Sequence, residues 1–312
     1  MTIKQCADFI RQAENALILT HRRPDGDAIG SGGAICHILR HLGKTAYLFD
    51  NEDFLELFED YTRPLIAPKD FTPGCIIAVD LAAEGLFPKG FSGSVDLSID
   101  HHPSNSFYAE NTLLDFEKAS CGEIIQQLAE ELEVPLFREL ADCLYIAIST
   151  DTGCFAYSNV TADTLRSAAK LIDAGVDNAA LNKYIFRSVS KARLDLEAMI
   201  YSGLETYEKN GRLVVFATIT NEMMEKAGAT ENDCQDISAL AGRLKNSAVS
   251  ATFREGVESG YRVSLRSGSL VDASAVCQKF GGGGHTKAAG CTINQPLDIA
   301  KKLLLDEIYK AI

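Results

Sequence analysis

The 312 residues are 46% hydrophobic and 23% charged, the balance of a globular protein, and they are too many for one ordinary core, so two domains are expected. No apolar run reaches the roughly 18 residues of a membrane span, and the N-terminus lacks a charged-then-apolar leader, which points to the cytoplasm. The net charge of −13 resides in residues 1–204, with 17 Lys and Arg against 30 Asp and Glu, whereas residues 205–312 balance at 13 and 13. Such acidity disfavours a long nucleic-acid track, which needs dense Lys and Arg; short anionic ligands stay compatible where bound metals reverse the local sign.

In chain order, residues 2–13 read as an opening helix and Ala16–Thr20 as a buried strand. The stretch His21-Arg22-Arg23-Pro24-Asp25-Gly26-Asp27-Ala28-Ile29-Gly30-Ser31 then forms a loop before helical periodicity from Ala34 to Leu42. Pro24 is expected to stiffen that loop, and Gly26 to permit a backbone conformation that a side chain would oppose, so that Asp25 and Asp27 aim at one point. Two carboxylates so close repel each other unless a divalent cation lies between them.

A second strand is expected at Thr45–Phe49, and the acidic run Asn51–Asp60 reads as a solvated helix or loop without chemistry. Cys75–Val79 is the next buried strand and ends in Asp80; Val95–Asp100 alternates and ends in Asp100-His101-His102. Leu144–Ser149 also runs into an acid, Asp151. It is either a strand or the end of a helix beginning near Arg138, because Leu140, Leu144 and Ile148 share a helical face. Helices are expected at Ser120–Glu133 and Thr161–Ala174, and from Leu181 to about Tyr207, whose second half from Ser190 reads as a connector.

Each of these apolar segments ending in acid or imidazole is unremarkable alone, since a loop Asp commonly caps a turn or helix. Together they supply His21, Asp25, Asp27, Asp80, His101 and Asp151, enough for two metal ions sharing one carboxylate. His37 and His41, four apart on the first helix after the loop, read as packing or surface residues. The nine cysteines are scattered singly with no Cys-x-x-Cys pair, as reduced core residues are.

The second domain opens with the strand Arg212–Ile219, followed by a helix near Cys234–Lys245 and strands at Ala248–Arg254 and Tyr261–Arg266. A helix over Asp272–Phe280 leads into Gly281-Gly282-Gly283-Gly284-His285, and Leu297–Ile312 reads as a closing structural helix. Consecutive glycines expose backbone N–H groups, which suits a phosphate or a nucleobase; a slack linker has the same composition, but the tight framing by a helix and by Thr286-Lys287-Ala288-Ala289-Gly290 argues against it.

With these motifs assembled, the chain resembles the DHH phosphoesterases that carry a DHH-associated C-terminal domain. The match lies in HRRPDGDAIGS at 21–31, Asp80 at a strand end, IDHHPSN at 99–105, TDTGCF at 150–155, SLRS at 264–267 and FGGGGHTKAAGC at 280–291. The bacterial branch nearest to this pattern combines oligoribonuclease activity with removal of the 3′-phosphate from adenosine 3′,5′-bisphosphate (pAp). The resemblance implies an α/β architecture: an N-terminal parallel sheet with helices on both faces at 1–189, a helical linker at 190–207, and a smaller α/β domain across a cleft at 208–312.

It further implies one metal on His21, Asp25 and Asp80 and another on Asp27, Asp80, His101 and Asp151, with Asp80 bridging. Asp100 would orient an imidazole, and His102 would contact the phosphate or assist the leaving group, making Asp80, Asp100 and His102 the catalytic set. Arg266, Ser267, Gly282, Gly283, Gly284 and His285 would grip the substrate. Manganese suits the mixed oxygen and imidazole donors, with magnesium or cobalt as alternatives. Expected partners are short RNA or a small nucleotide, not long duplexes or membranes, and a homodimer is compatible. Leu81 and Ala82 stand where the family often has a small polar residue, and Ser106 where an acid is frequent, which bears on substrate preference. Cyclic dinucleotides or their linear products are the alternative substrates, and a non-catalytic nucleotide sensor is disfavoured because all six ligands are present.

Overall fold

The computed structural model describes residues 1–234, 237–256, 260–268 and 270–312, which form two compact units, 1–188 and 189–312. In the first, strands β1 (Ala16–Leu19), β2 (Ala46–Leu48), β3 (Cys75–Val79), β4 (Leu97–Asp100) and β5 (Asn111–Leu114) form an all-parallel sheet in the order β2-β1-β3-β4-β5. Alternation along the strands separates two apolar layers. Ile18, Ile77, Val79, Leu97 and Ile99 share a core with helices α1 (Ile3–Gln12), α2 (Gly26–His41), α4 (Cys121–Glu131) and α5 (Arg138–Asp151).

The intervening Leu19 and Ala78 belong to a separate cluster with Phe49, Phe87, Phe91, Val95 and Tyr108. Helices on both faces were the expectation, yet this second cluster draws on no helix among the described residues. The chain between β3 and β4 contains only a 3-10 turn, Glu84–Leu86, and its aromatic side chains do the covering. The short helix α3 (Glu59–Thr62) packs Phe58, just before it, against Ile29 and Ile146.

Two expected boundaries move. The helix after the first strand begins at Gly26, inside the acidic loop, because Asp25 serves as its N-cap. Gly26 is therefore helical. A Cβ there would lie 2.3 Å from Cγ2 of Thr150 on α5, so glycine is required for close approach and not for an unusual backbone angle. A Cβ at Gly30 would likewise lie 2.4 Å from the Cys143 carbonyl, and these two contacts set α2 directly against α5. The Leu144–Asp151 segment is the end of α5, the helical of the two expected forms.

Helices α6 (Ala162–Asp173) and α7 (Asn178–Phe186) complete the first unit. The expected helix from Leu181 to Tyr207 breaks after Phe186, and Ser190 caps a new one, α8 (Lys191–Ser202). That segment is no free connector: Leu196 and Ile200 lie in a core with Val215, Ala217 and Ile219 of the second unit.

In the second unit, β6 (Glu205–Lys209), β7 (Arg212–Ile219), β8 (Ser247–Glu255), β9 (Tyr261–Ser267), β10 (Gly283–Gly284) and β11 (Ala288–Ile293) form a mixed sheet in the order β10-β11-β9-β8-β7-β6. Helices α10 (Ala273–Gln278) and α11 (Leu297–Ala311) pack on one face through Val276, Cys277, Ala300, Leu304 and Ile308. Helix α9 (Asn221–Ala227) follows β7. The helix expected at Cys234–Lys245 falls partly outside the described residues, at 235 and 236; Ile237–Arg243 is a 3-10 segment.

Candidate metal centre

The carboxyl edge of the parallel sheet gathers every proposed ligand, as open α/β sheets do with their sites. His21 follows β1, Asp80 follows β3, and His101 and His102 follow β4. Asp25 and Asp27 start α2, and Asp151 ends α5.

Asp80 stands between two groups of donors. Its Oδ2 lies 3.8 Å from His21 Nε2, which is 3.9 Å from Asp25 Oδ1. Its Oδ1 lies 3.5 Å from His101 Nε2, which in turn is 3.7 Å from Asp27 Oδ2 and 3.5 Å from Asp151 Oδ2. These separations are too long for hydrogen bonds. They match donors around an ion with bonds of about 2.1 Å, whose ligand atoms lie about 3 to 4 Å apart. Within each of the triads His21/Asp25/Asp80, Asp27/His101/Asp151 and Asp80/His101/His102 the donor atoms lie within 4.8 Å of one another.

Neighbouring groups fix each donor. His21 Nδ1 is 2.8 Å from the Arg22 carbonyl and His101 Nδ1 is 3.2 Å from that of Lys118, so each ring donates from Nδ1 and turns its Nε2 to the carboxylates. Asp25 Oδ1 accepts from the N–H groups of Asp27 and Ala28. Asp27 accepts from Ser31 Oγ and from the N–H groups of Cys121 and Gly122, the first turn of α4, where the helix dipole favours an anion. Buried Asn51 donates to the His21 carbonyl and to Thr20. Asn51 thus supports the site from within a run that sequence reasoning left without chemistry; the signal was one amide among acids.

Asp100 is fully buried and accepts from the N–H groups of His101 and His102, from His102 Nδ1 at 2.8 Å and from Asn105 Nδ2 at 2.6 Å. It therefore orients His102, and Asn105, the last residue of the IDHHPSN stretch, holds its other oxygen.

The electrostatics call for cations. Burial, then the neighbouring Asp27, Asp25, Asp100 and Asp151, push the Asp80 carboxyl well above the usual range. Burial, then Asp151 and Asp25, do the same to Asp27, and burial with Asp25 raises Asp151 to about 6. Burial and the neighbouring His102 lower His101, so its ring is neutral and able to ligate. Asp80 Oδ1 is buried with no hydrogen-bond partner, a costly state that a bound cation would relieve. Asp80 also has φ +52°, a left-handed backbone that turns its side chain out of the strand end. The residues present fit divalent ions.

In the second unit the remaining expected residues lie on or beside β9 and β10. Arg266 and Ser267 end β9, and Gly283 and Gly284 form β10 against β11. Gly282 is required by close approach, since a Cβ there would lie 2.1 Å from the Gly290 carbonyl. The Ser267 hydroxyl is engaged locally, 2.7 Å from the Val271 carbonyl, and His285 is exposed. His37 and His41 pack on Phe137, as expected of non-ligands.

Residues 15–148 match the model of the DHH family, N-terminal domain, and residues 211–312 match the DHHA1 domain. The chain is also 34% identical to the bifunctional oligoribonuclease and PAP phosphatase NrnA of Thermus thermophilus, over 98% of this chain and 90% of that one. The chain belongs to the DHH family. Among other DHH-family relatives, the protein of the same name from Bacillus subtilis is 27% identical over 94% of this chain and 93% of its own. The fold is shared with an exopolyphosphatase-related protein from Bacteroides fragilis, with a TM-score of 0.89 at 22% identity, covering 99% of this chain and 95% of that one.

Proposed function

We propose that the protein is a divalent-metal-dependent phosphoesterase that hydrolyses short oligoribonucleotides and removes the 3′-phosphate of pAp. The observation that carries this reading is Asp80, whose two oxygens face two separate donor groups while one of them, buried, has no proton donor. The Thermus and Bacillus relatives named for these two activities support the substrate class.

His21, Asp25 and Asp80 would hold one ion, and Asp27, Asp80, His101 and Asp151 another, with manganese favoured by the mixed oxygen and imidazole donors. When bound, such ions acidify water and offset charge on phosphoryl oxygens. The protein's own groups do the rest. Asp100 accepts from His102 Nδ1 and, as the main cause, raises the His102 pKa above that of a free imidazole, which favours the protonated ring and leaves Nε2 to meet an anionic phosphate or a departing ribose oxygen. Arg266 and the backbone of Gly282–Gly284 would bind the remainder of the ligand. The nine free cysteines suit a reducing compartment, and we place the protein in the cytoplasm; no helix among the described residues is long and apolar enough to cross a membrane.

A panel with added manganese tests the reading: diribonucleotide and pAp are expected to be turned over faster than pyrophosphate and cyclic di-AMP. Faster release from pyrophosphate would contradict it.

A further inference from the structure

The register of the second sheet places charge in an ordered pattern that the reading above does not use. Residues directly opposite each other on paired strands share a face. On the face away from α10 and α11, one row runs Arg254–Arg262–Thr292 across β8, β9 and β11. The next row is Thr252–Ser264–Gly290–Gly283, and the third is Ser250–Arg266–Ala288. Between the two rows that hold arginine lie Ser264 and Gly290, while Thr252 is buried and donates to the Ser238 carbonyl. Ser238, Thr252, Ser264, Arg254 and Arg262 line a recess there of about 180 Å³.

Two arginines set directly opposite on one face repel, and such a pair is unfavourable unless an anion joins it. Glu231 bonds Arg254 at 2.5 Å. Arg262 is exposed and has no carboxylate partner among the described residues. Arg266 donates to the Leu265 carbonyl and to Ser238 Oγ, and to no carboxylate among the described residues. In a chain of net charge −13, two arginines on one sheet face, with no carboxylate partner for either among the described residues and a recess lined by Arg262 and Ser264, indicate a site for an anion.

We propose that Arg262, with Arg254 beside it, forms a second phosphate subsite distinct from that of Arg266, and that it binds a further phosphate of an oligoribonucleotide. Four residues of strand separate Arg262 from Arg266, about 13 Å at roughly 3.4 Å per residue. That spacing suits a strand of several nucleotides, whereas pAp, with both phosphates on one nucleoside, engages Arg266 alone. The small residues Ser264 and Gly290 let the backbone of the strand lie close to β9 and β11. This inference rests on the substrate class proposed above.

The test is binding to the full chain in chelator, which removes turnover, with a 5′-phosphorylated triribonucleotide and with pAp. Arg262→Ala is expected to weaken the trinucleotide about tenfold, since a charged hydrogen bond is lost, and to lower the steepness of its salt dependence by roughly one phosphate contact. Affinity for pAp should stay within about twofold, and Arg262→Lys should recover part of the loss. Equal weakening of both ligands, or no weakening of the trinucleotide, would overturn the subsite. An unchanged thermal melt of the exposed-site variant excludes misfolding as the cause. Whether the wild-type protein cleaves the trinucleotide with manganese bears on the proposed function instead, so the two failures are told apart.

Discussion

At the carboxyl edge of the first sheet, Asp25, Asp27, Asp80 and Asp151 crowd around two imidazoles, whereas on one face of the second sheet Arg254, Arg262 and Arg266 stand among serines, threonine and glycine. The first arrangement favours bound cations and the second bound anions. Each region is rigid where its chemistry lies. In the first, helix N-termini and buried amides hold the carboxylates; in the second, strand register spaces the arginines. Order without neutrality, in both, is the mark of a binding site rather than of a stability element.

The comparison breaks first at Asp80. Asp80→Asn keeps the shape but removes the shared anion, and turnover of every substrate should fall about a thousandfold or more, while the metal-free variant melts no lower than wild type because a buried charge is gone. Steady-state assays beside thermal melts check both; activity within tenfold of wild type would refute the bridging role.

Asp100→Asn sharpens the distinction between holding a metal and holding a proton. Loss of the carboxylate that raises the His102 pKa should lower turnover roughly 10- to 100-fold and move the alkaline limb of the rate profile to lower pH. An unmoved limb would remove His102 from proton transfer. Gly26→Ala tests whether packing positions the acidic turn. Its Cβ would collide with Thr150, so chemical denaturation should show a loss of about 1 to 3 kcal/mol, with a rise in the metal concentration needed for activity.

The smallest effect expected is on the metal-free protein. Asp27, Asp80 and Asp151 have folded pKa values raised above the usual carboxylate range, that of Asp151 to about 6. The folded state then binds more protons than the unfolded chain, so acidification from pH 7.5 toward 5 should raise the melting temperature in chelator by a few degrees. Added manganese should abolish that rise. A steady fall on acidification would contradict the crowding of carboxylates.

Much of the first region was legible because its ligands end apolar segments. The strand end at Asp80 follows from a buried apolar run and that at His101–His102 from alternation, and the six candidate ligands needed no long-range knowledge. What escaped was carried by backbone and amide groups. Asp27 is held by the first turn of α4, nearly a hundred residues away in sequence, and Asn51 supports His21 from a run that looks merely solvated. The start of α2 was misplaced because Asp25, read as a ligand, is also a cap. In the second region β11 was not foreseen. Without it the rows formed by Arg262, Ser264 and Arg266 lacked their continuation across the sheet, and the tightly framed glycines had no strand for Gly283 and Gly284 to pair with.

Anomalous diffraction from crystals soaked in manganese tests the central claim most directly. Two peaks are expected on either side of the Asp80 carboxylate, one beside His21 and Asp25 and the other beside Asp27, His101 and Asp151. A single peak that leaves one of these donor groups empty, or ions bound away from Asp80, would contradict it.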